Sequence, residues 1–153
     1  MNEERKASSE TRGYEALLLQ NQLCFPLYAA SKEVVRLYKP FLDEIGLTYT
    51  QYIAMMALWE SRSLSVKELG ERLYLDSGTL TPLLKKMEAQ GLVTRTRSAA
   101  DERSVIVTLT GKGEALKQRA LEVPAKMSKC IPLSQEEAKT LYDLLYRVLQ
   151  AVE

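Results

Sequence analysis

The chain opens on a polar stretch, Met1 to Gly13, and then changes character. From Tyr14 to Ile45 one face recurs at three- and four-residue steps: Leu17, Leu18, Asn21, Cys24, Phe25, Tyr28, Ser31, Val35, Tyr38, Phe41, Leu42 and Ile45. That period predicts a long helix. Pro26 and Pro40 fall inside it and predict a kink or a break. Gly46 suits a left-handed helix end. Thr48 or Thr50 can cap the next helix, which carries Tyr52, Ile53, Met56, Ala57, Leu58 and Trp59.

The pattern then shortens. Ser65-Val66-Lys67-Glu68 has the form of a capping box and starts a brief helix bearing Leu69, Leu73 and Tyr74. Leu75-Asp76-Ser77 reads as a turn, with Asp76 or Ser77 capping a helix from Gly78 to Gln90. Its apolar side is Leu80, Leu83, Leu84 and Met87, and Gly91 closes it. Leu92 to Arg97 alternates as a strand should, Ser98 to Glu102 is a polar loop, and Arg103 to Leu109 is a β-branched strand. Thr110-Gly111-Lys112-Gly113 opens a helix expected to reach about Lys129, which Ile131-Pro132-Leu133 breaks. Ser134-Gln135-Glu136-Glu137 is a second capping box, and the final helix ends near Val152.

Helix, tight turn, helix and charged hairpin, in that order, are the sequence form of a winged helix-turn-helix, which lays one helix in the DNA major groove with a β-ribbon beside it. The expected fold is therefore mainly α with a small β-hairpin wing. Ser77, Thr79, Thr81, Lys85 and Lys86 face away from the leucine stripe, where short hydroxyls and cations can meet phosphates and base edges. The hairpin carries Arg95, Arg97 and Arg103, and an arginine at its tip has the reach to enter a minor groove. The expected organisation is a flexible tail, 1–13, and one domain, 14–153. Within it the DNA module spans 61–110, flanked by dimerisation helices at 14–60 and 111–153. The apolar faces of these flanking helices exceed what the small module can cover, so a symmetric homodimer is expected.

Composition narrows the chemistry. A chain of 153 residues suits one domain. With 21 Lys+Arg against 20 Asp+Glu, any nucleic-acid binding must come from a local basic face. The absence of histidine removes the common zinc and iron sites, the Ser-His-Asp triad and the Cys-His dyad. Phosphate-cradling glycine loops are also missing, and no metal or cofactor is expected. No apolar run is long enough to span a membrane, and the N-terminus lacks a secretory pattern. Two cysteines far apart in such a chain predict thiols in a reducing cytoplasm rather than a disulfide framework.

The block from Ser65 to Leu109 resembles the MarR family of bacterial transcription regulators. Asp101-Glu102-Arg103-Ser104 matches that family's D-x-R-S wing signature, and Leu109-Thr110-x-x-Gly113 its strand-to-helix junction. The resemblance implies that Asp101 pairs with Arg103 to stiffen the wing and that Arg103 reaches the minor groove of double-stranded operator DNA. Asn21-Gln22-Leu23-Cys24-Phe25 and the run from Leu73 to Pro82 resemble one branch, the organic hydroperoxide resistance regulators. That likeness implies that Cys24 senses the peroxide, and that Tyr38 and Tyr49 hydrogen-bond its thiolate. Some members of the branch carry a second cysteine near the junction of the last two helices, where Cys130 stands, and join it to the sensor of the other subunit. Others cap the sensor with a small cellular thiol.

Helix geometry adds a constraint. Cys24 and Tyr38 on one straight helix would stand about 21 Å apart, so their contact requires an antiparallel partner subunit. The reading is a redox-sensing repressor released from its operator on oxidation of Cys24. Two alternatives stand beside it. A repressor of the same family released by a phenolic or antibiotic-like ligand would not need Cys24. The other is a thiol peroxidase that turns over peroxide, against which stands the absence in this chain of histidine and of any arginine obviously placed to activate the thiol.

Overall fold

Proline positions decide where the first long helix begins. The structure, a computed structural model, describes residues 14–101 and 103–151; the tail expected at 1–13, Glu102 and the predicted helix end at Val152 lie outside the described residues. Helix α1 spans Cys24–Asp43, so the start expected at Tyr14 is wrong. Two single 3-10 turns, Glu15–Leu17 and Leu19–Asn21, precede it, with Leu18 extended between them. A helix running through from Tyr14 would need an N–H on Pro26 for the Gln22 carbonyl, and proline has none. With the start at Cys24, Pro26 falls in the first turn, where no intrahelical donor is called for. The side-chain amides of Asn21 and Gln22 donate instead to the Glu15 carbonyl, at 2.8 Å, and to the Ala16 carbonyl. Pro40 is carried inside α1 without ending it.

The chain forms two compact units, Met1–Tyr49 and Thr50–Glu153. In the first, Gly46 takes φ +73° and Leu47 N–H returns to the Leu42 carbonyl at 3.1 Å, the glycine-dependent helix ending that the sequence predicts. Leu42, Ile45 and Leu47 are buried.

Helix α2, Tyr49–Ser61, leads into the second unit. There follow β1 (Ser63–Ser65), α3 (Val66–Leu73), α4 (Ser77–Ala89), β2 (Val93–Arg97), β3 (Val105–Leu109), α5 (Gly111–Ala120), α6 (Glu122–Ser128) and α7 (Gln135–Gln150). The strands form an antiparallel sheet in the order β1-β3-β2, with Leu64 opposite Val107 and Arg95 opposite Val107 on its other side. The expected two-stranded hairpin thus gains a third strand. At three residues β1 is too short to show an alternating pattern in sequence. Leu80, Leu84 and Met87 of α4 are buried with Leu58, Leu64, Leu69, Val93 and Val107 to make this unit's core. Residues four and seven apart share one helix face, so the leucine stripe turns inward and the hydroxyls outward.

The helix expected from Gly111 to about Lys129 is divided at Leu121. The physical reason is Pro124, which cannot donate to the Ala120 carbonyl, the last residue of α5. Helix α7 has no buried residue, and Leu141, Tyr142, Leu144, Leu145, Tyr146 and Val148 stand exposed on it. Tyr14, Leu17, Leu18, Leu23 and Phe25 are exposed in the first unit. Among the described residues no helix is long and apolar enough to cross a membrane.

Candidate nucleic-acid interface and thiol site

The reading head is built by three local devices. The capping box at α3 is present in both directions: Glu68 N–H donates to Ser65 Oγ at 3.1 Å, and Ser65 N–H to Glu68 Oε2 at 2.8 Å. The turn after α3 is tight. Leu75 N–H returns to the Gly70 carbonyl at 3.0 Å, and Tyr74 takes φ +54°, the left-handed region usually left to glycine. A Cβ on Gly70 would stand 2.7 Å from the Leu75 carbonyl oxygen and 3.2 Å from Leu80 Cδ1, so this glycine permits the close approach of turn and helix. Asp76, rather than Ser77, is the N-cap of α4, its carboxylate accepting the Thr79 N–H at 2.9 Å. That bond holds the Asp76 carboxyl below the usual carboxylate range, the Thr79 hydroxyl adding to it.

The hydroxyls predicted to face DNA are exposed, as are Lys85 and Lys86. Two of them already donate locally: Thr79 Oγ1 to Asp76 at 2.9 Å and Thr81 Oγ1 to the Ser77 carbonyl at 2.7 Å. A phosphate oxygen only accepts, so Thr79 and Thr81 would have to give up these bonds to contact one.

The wing is stiffened at its tip by main-chain bonds. Ser98 N–H donates to the Ser104 carbonyl at 2.8 Å, and Ser98 Oγ accepts from Ala100 and Asp101. Asp101 meets Arg103 through the main chain: its carboxylate accepts Arg103 N–H at 3.0 Å. Arg97 and Arg103 are exposed. Arg95, expected with Arg97 and Arg103 among the DNA-contacting residues of the wing, is held by Glu88. Its Nε and Nη2 donate to Glu88 Oε2 at 3.0 and 2.7 Å, and its main-chain N–H to Glu88 Oε1 at 3.0 Å. The guanidinium holds the Glu88 carboxyl below its ordinary range. Sequence reasoning missed Glu88 because a pair seven residues apart, reaching from helix to strand, follows no helical or strand spacing. A cleft of about 500 Å³ runs between α3, α4 and the wing, with Lys67, Glu71, Ser77, Thr81, Arg95 and Arg103 on its walls.

The thiol residues are free and exposed. Cys24 is the first residue of α1, and Tyr38 lies fourteen residues further along the same helix. At ~1.5 Å per residue that is ~21 Å, so the two do not meet within one chain. Tyr38 meets Tyr49 instead, ring centroids 5.0 Å apart and tilted by 56°. Burial raises both phenol pKa values, and Tyr49 raises that of Tyr38 further, so both hydroxyls stay protonated donors at neutral pH. The cations that follow Cys24 along α1 have other partners: Arg36 pairs with Glu33 and Lys39 with Asp43, both at 2.6 Å, while Lys32 sits 5.1 Å over the Tyr28 ring. The Cys130 thiol lies just after α6 and donates to the Lys126 carbonyl at 3.5 Å.

This arrangement has relatives. The sequence pattern of the transcriptional regulator SarA/Rot family matches residues 36–120. The organic hydroperoxide resistance transcriptional regulator of Bacillus subtilis (strain 168) is 50% identical over 139 residues, 91% of this chain and 95% of that protein. Reduced AbfR bound to DNA superposes with a TM-score of 0.76 at 34% identity, covering 94% of this chain and 99% of that one. The disulfide form of AbfR superposes with a TM-score of 0.60 at 34% identity, over 94% and 97% of the two chains.

Proposed function

Because the chain belongs to the MarR family of bacterial transcription regulators, in its organic hydroperoxide resistance branch, we propose that it is a cytoplasmic, homodimeric repressor whose DNA binding is switched by oxidation of Cys24. The exposed apolar faces of α7 and of the first unit are covered by the second copy. In the reduced state α4 enters the major groove of a pseudo-palindromic operator. The exposed Ser77, Lys85, Arg97 and Arg103 meet phosphates and the adjacent minor groove.

The observation that carries the switch is the separation of Cys24 from the Tyr38–Tyr49 pair. In an antiparallel dimer those phenols donate to the partner's sensor sulfur, which makes the sensor a property of the interface. The Cys24 thiolate attacks the terminal oxygen of an organic hydroperoxide, the O–O bond breaks, and the products are a sulfenic acid and the alcohol. The Cys130 thiol of the other subunit then displaces water to give a disulfide. Spacing between the reading heads changes, and the operator is released. The thiol is consumed once per release, so the protein is a regulator and not an enzyme. The Bacillus subtilis relative is likewise named a transcriptional regulator.

Substitution of Cys24 tests this reading. Cys24→Ser keeps the side-chain size and removes the redox chemistry, so it should bind operator as wild type does and ignore cumene hydroperoxide. Release of DNA by peroxide in this variant would move sensing elsewhere.

A further inference from the structure

Glu88 occupies an unfavourable place. It lies in the last turn of α4, where the helix dipole disfavours an acid. It is answered there by a strand. Both Glu88 oxygens are used, one by the Arg95 main-chain N–H and the other by two guanidinium nitrogens. The pair is also sheltered. Its side chains are 24% and 37% exposed, whereas the pairs Arg36–Glu33, Lys39–Asp43, Arg62–Glu114 and Lys67–Glu71 each have one partner exposed by 71% or more.

The sheet order explains what the contact does. Strand β2 is an edge strand, and its outward N–H groups have no strand to bond. Glu88 takes one of them at Arg95, midway along β2 and opposite Val107 of β3. Strand β3 leads back to the wing tip at Arg103. A single carboxylate therefore ties the C-terminal end of the groove-reading helix to the stem of the wing.

We infer that Glu88 is a positioning residue for DNA recognition: through Arg95 it sets the wing's direction relative to α4, and Arg95 is thereby withdrawn from direct phosphate contact. The inference rests on the repressor reading above. A charge held this way adds little to sequence-independent attraction. Its loss lets the hairpin swing, so Arg103 and the N-terminal end of α4 no longer meet adjacent grooves together.

The test uses full-length dimer and two duplexes, one selected by the wild type from a random pool and a scrambled one of equal composition. Glu88→Ala, the milder Glu88→Gln, and Arg95→Met are compared by fluorescence anisotropy across a salt series. Each should weaken binding to the selected duplex by about tenfold, the size of one lost specific contact, with little change on the scrambled duplex. The salt slope should stay that of wild type, and Glu88→Ala with Arg95→Met together should be no worse than the weaker single variant. An equal loss on both duplexes in Arg95→Met, with a slope reduced by about one, would make Arg95 a phosphate contact and overturn the inference. Tighter binding by Glu88→Gln, or no change in any variant, would do the same. Amide hydrogen exchange separates this from the repressor reading. The Arg95 N–H should be protected in DNA-free wild type and exchange faster in Glu88→Ala. Rapid exchange in wild type would overturn the latch itself, whereas failure of wild type to select any duplex would overturn the repressor.

Discussion

Gly70→Ala should damage the DNA-reading head although alanine is the better helix former. A Cβ at this position stands 2.7 Å from the Leu75 carbonyl oxygen and 3.2 Å from Leu80 Cδ1. Carbon–oxygen contacts settle near ~3.3 Å, so carbonyl and helix must separate by ~0.6 Å. That carbonyl belongs to the same turn whose Leu75 N–H bonds back to Gly70 at 3.0 Å, and Leu80 is fully buried, so neither neighbour yields freely. Overpacking of this kind costs ~1–3 kcal/mol. Alanine recovers up to ~1 kcal/mol of helix propensity. The net expectation is a loss of about 1 kcal/mol. At ~2–4 °C per kcal/mol for a chain of this size, the melting temperature should drop by a few degrees. Urea unfolding at one fixed protomer concentration is the assay, since dimer stability varies with concentration. The m-value should be unchanged. Operator affinity should suffer more than stability, because the displaced turn carries the first residues of α4. A variant as stable as wild type, with wild-type affinity, would refute the argument that this close approach sets the angle between α3 and α4.

Arg103→Ala should cost about 1–3 kcal/mol of operator affinity and lower the salt slope by about one, read by anisotropy at several ionic strengths, while the fold is untouched. Tyr38→Phe should slow Cys24 oxidation by cumene hydroperoxide, measured by stopped-flow loss of DNA binding, and leave reduced affinity unchanged. The same variant should alter alkaline stability. Folding raises the Tyr38 pKa, so the phenol's contribution is complete below the unfolded value of about 10 and is lost as pH rises through the folded one. Denaturant midpoints should therefore fall less steeply above pH ~10 in Tyr38→Phe than in wild type. Peroxide-treated wild type should run as a covalent dimer and Cys130→Ser should not; mass spectrometry finding Cys24 joined to a small thiol, with Cys130 free, would place the protein in the one-cysteine class.

Local signals carried the reading head. The capping boxes at Ser65 and Ser134, the leucine stripe of α4 and the glycine-ended α1 all lie within a few residues of the groups they satisfy, so spacing alone reveals them, whereas spacing leaves the α4 cap open between Asp76 and Ser77 and the structure selects Asp76. Period could not place the start of α1 at Cys24, because the apolar face continues upstream and only hydrogen-bond accounting at Pro26 ends it. The same accounting at Pro124 divides α5 from α6. Other features exist only between elements distant in the chain. Strand β1 is a strand because β3 pairs with it, Arg95 is neutralised because the sheet order leaves its N–H at an open edge beside Glu88, and Tyr38 and Tyr49 meet across a helix end. Residue type and spacing specify what each segment can bond; which partner it finds is decided when the sheet closes and the helices pack, since an edge N–H or a half-buried phenol is answered by whatever the fold brings within about 3 Å.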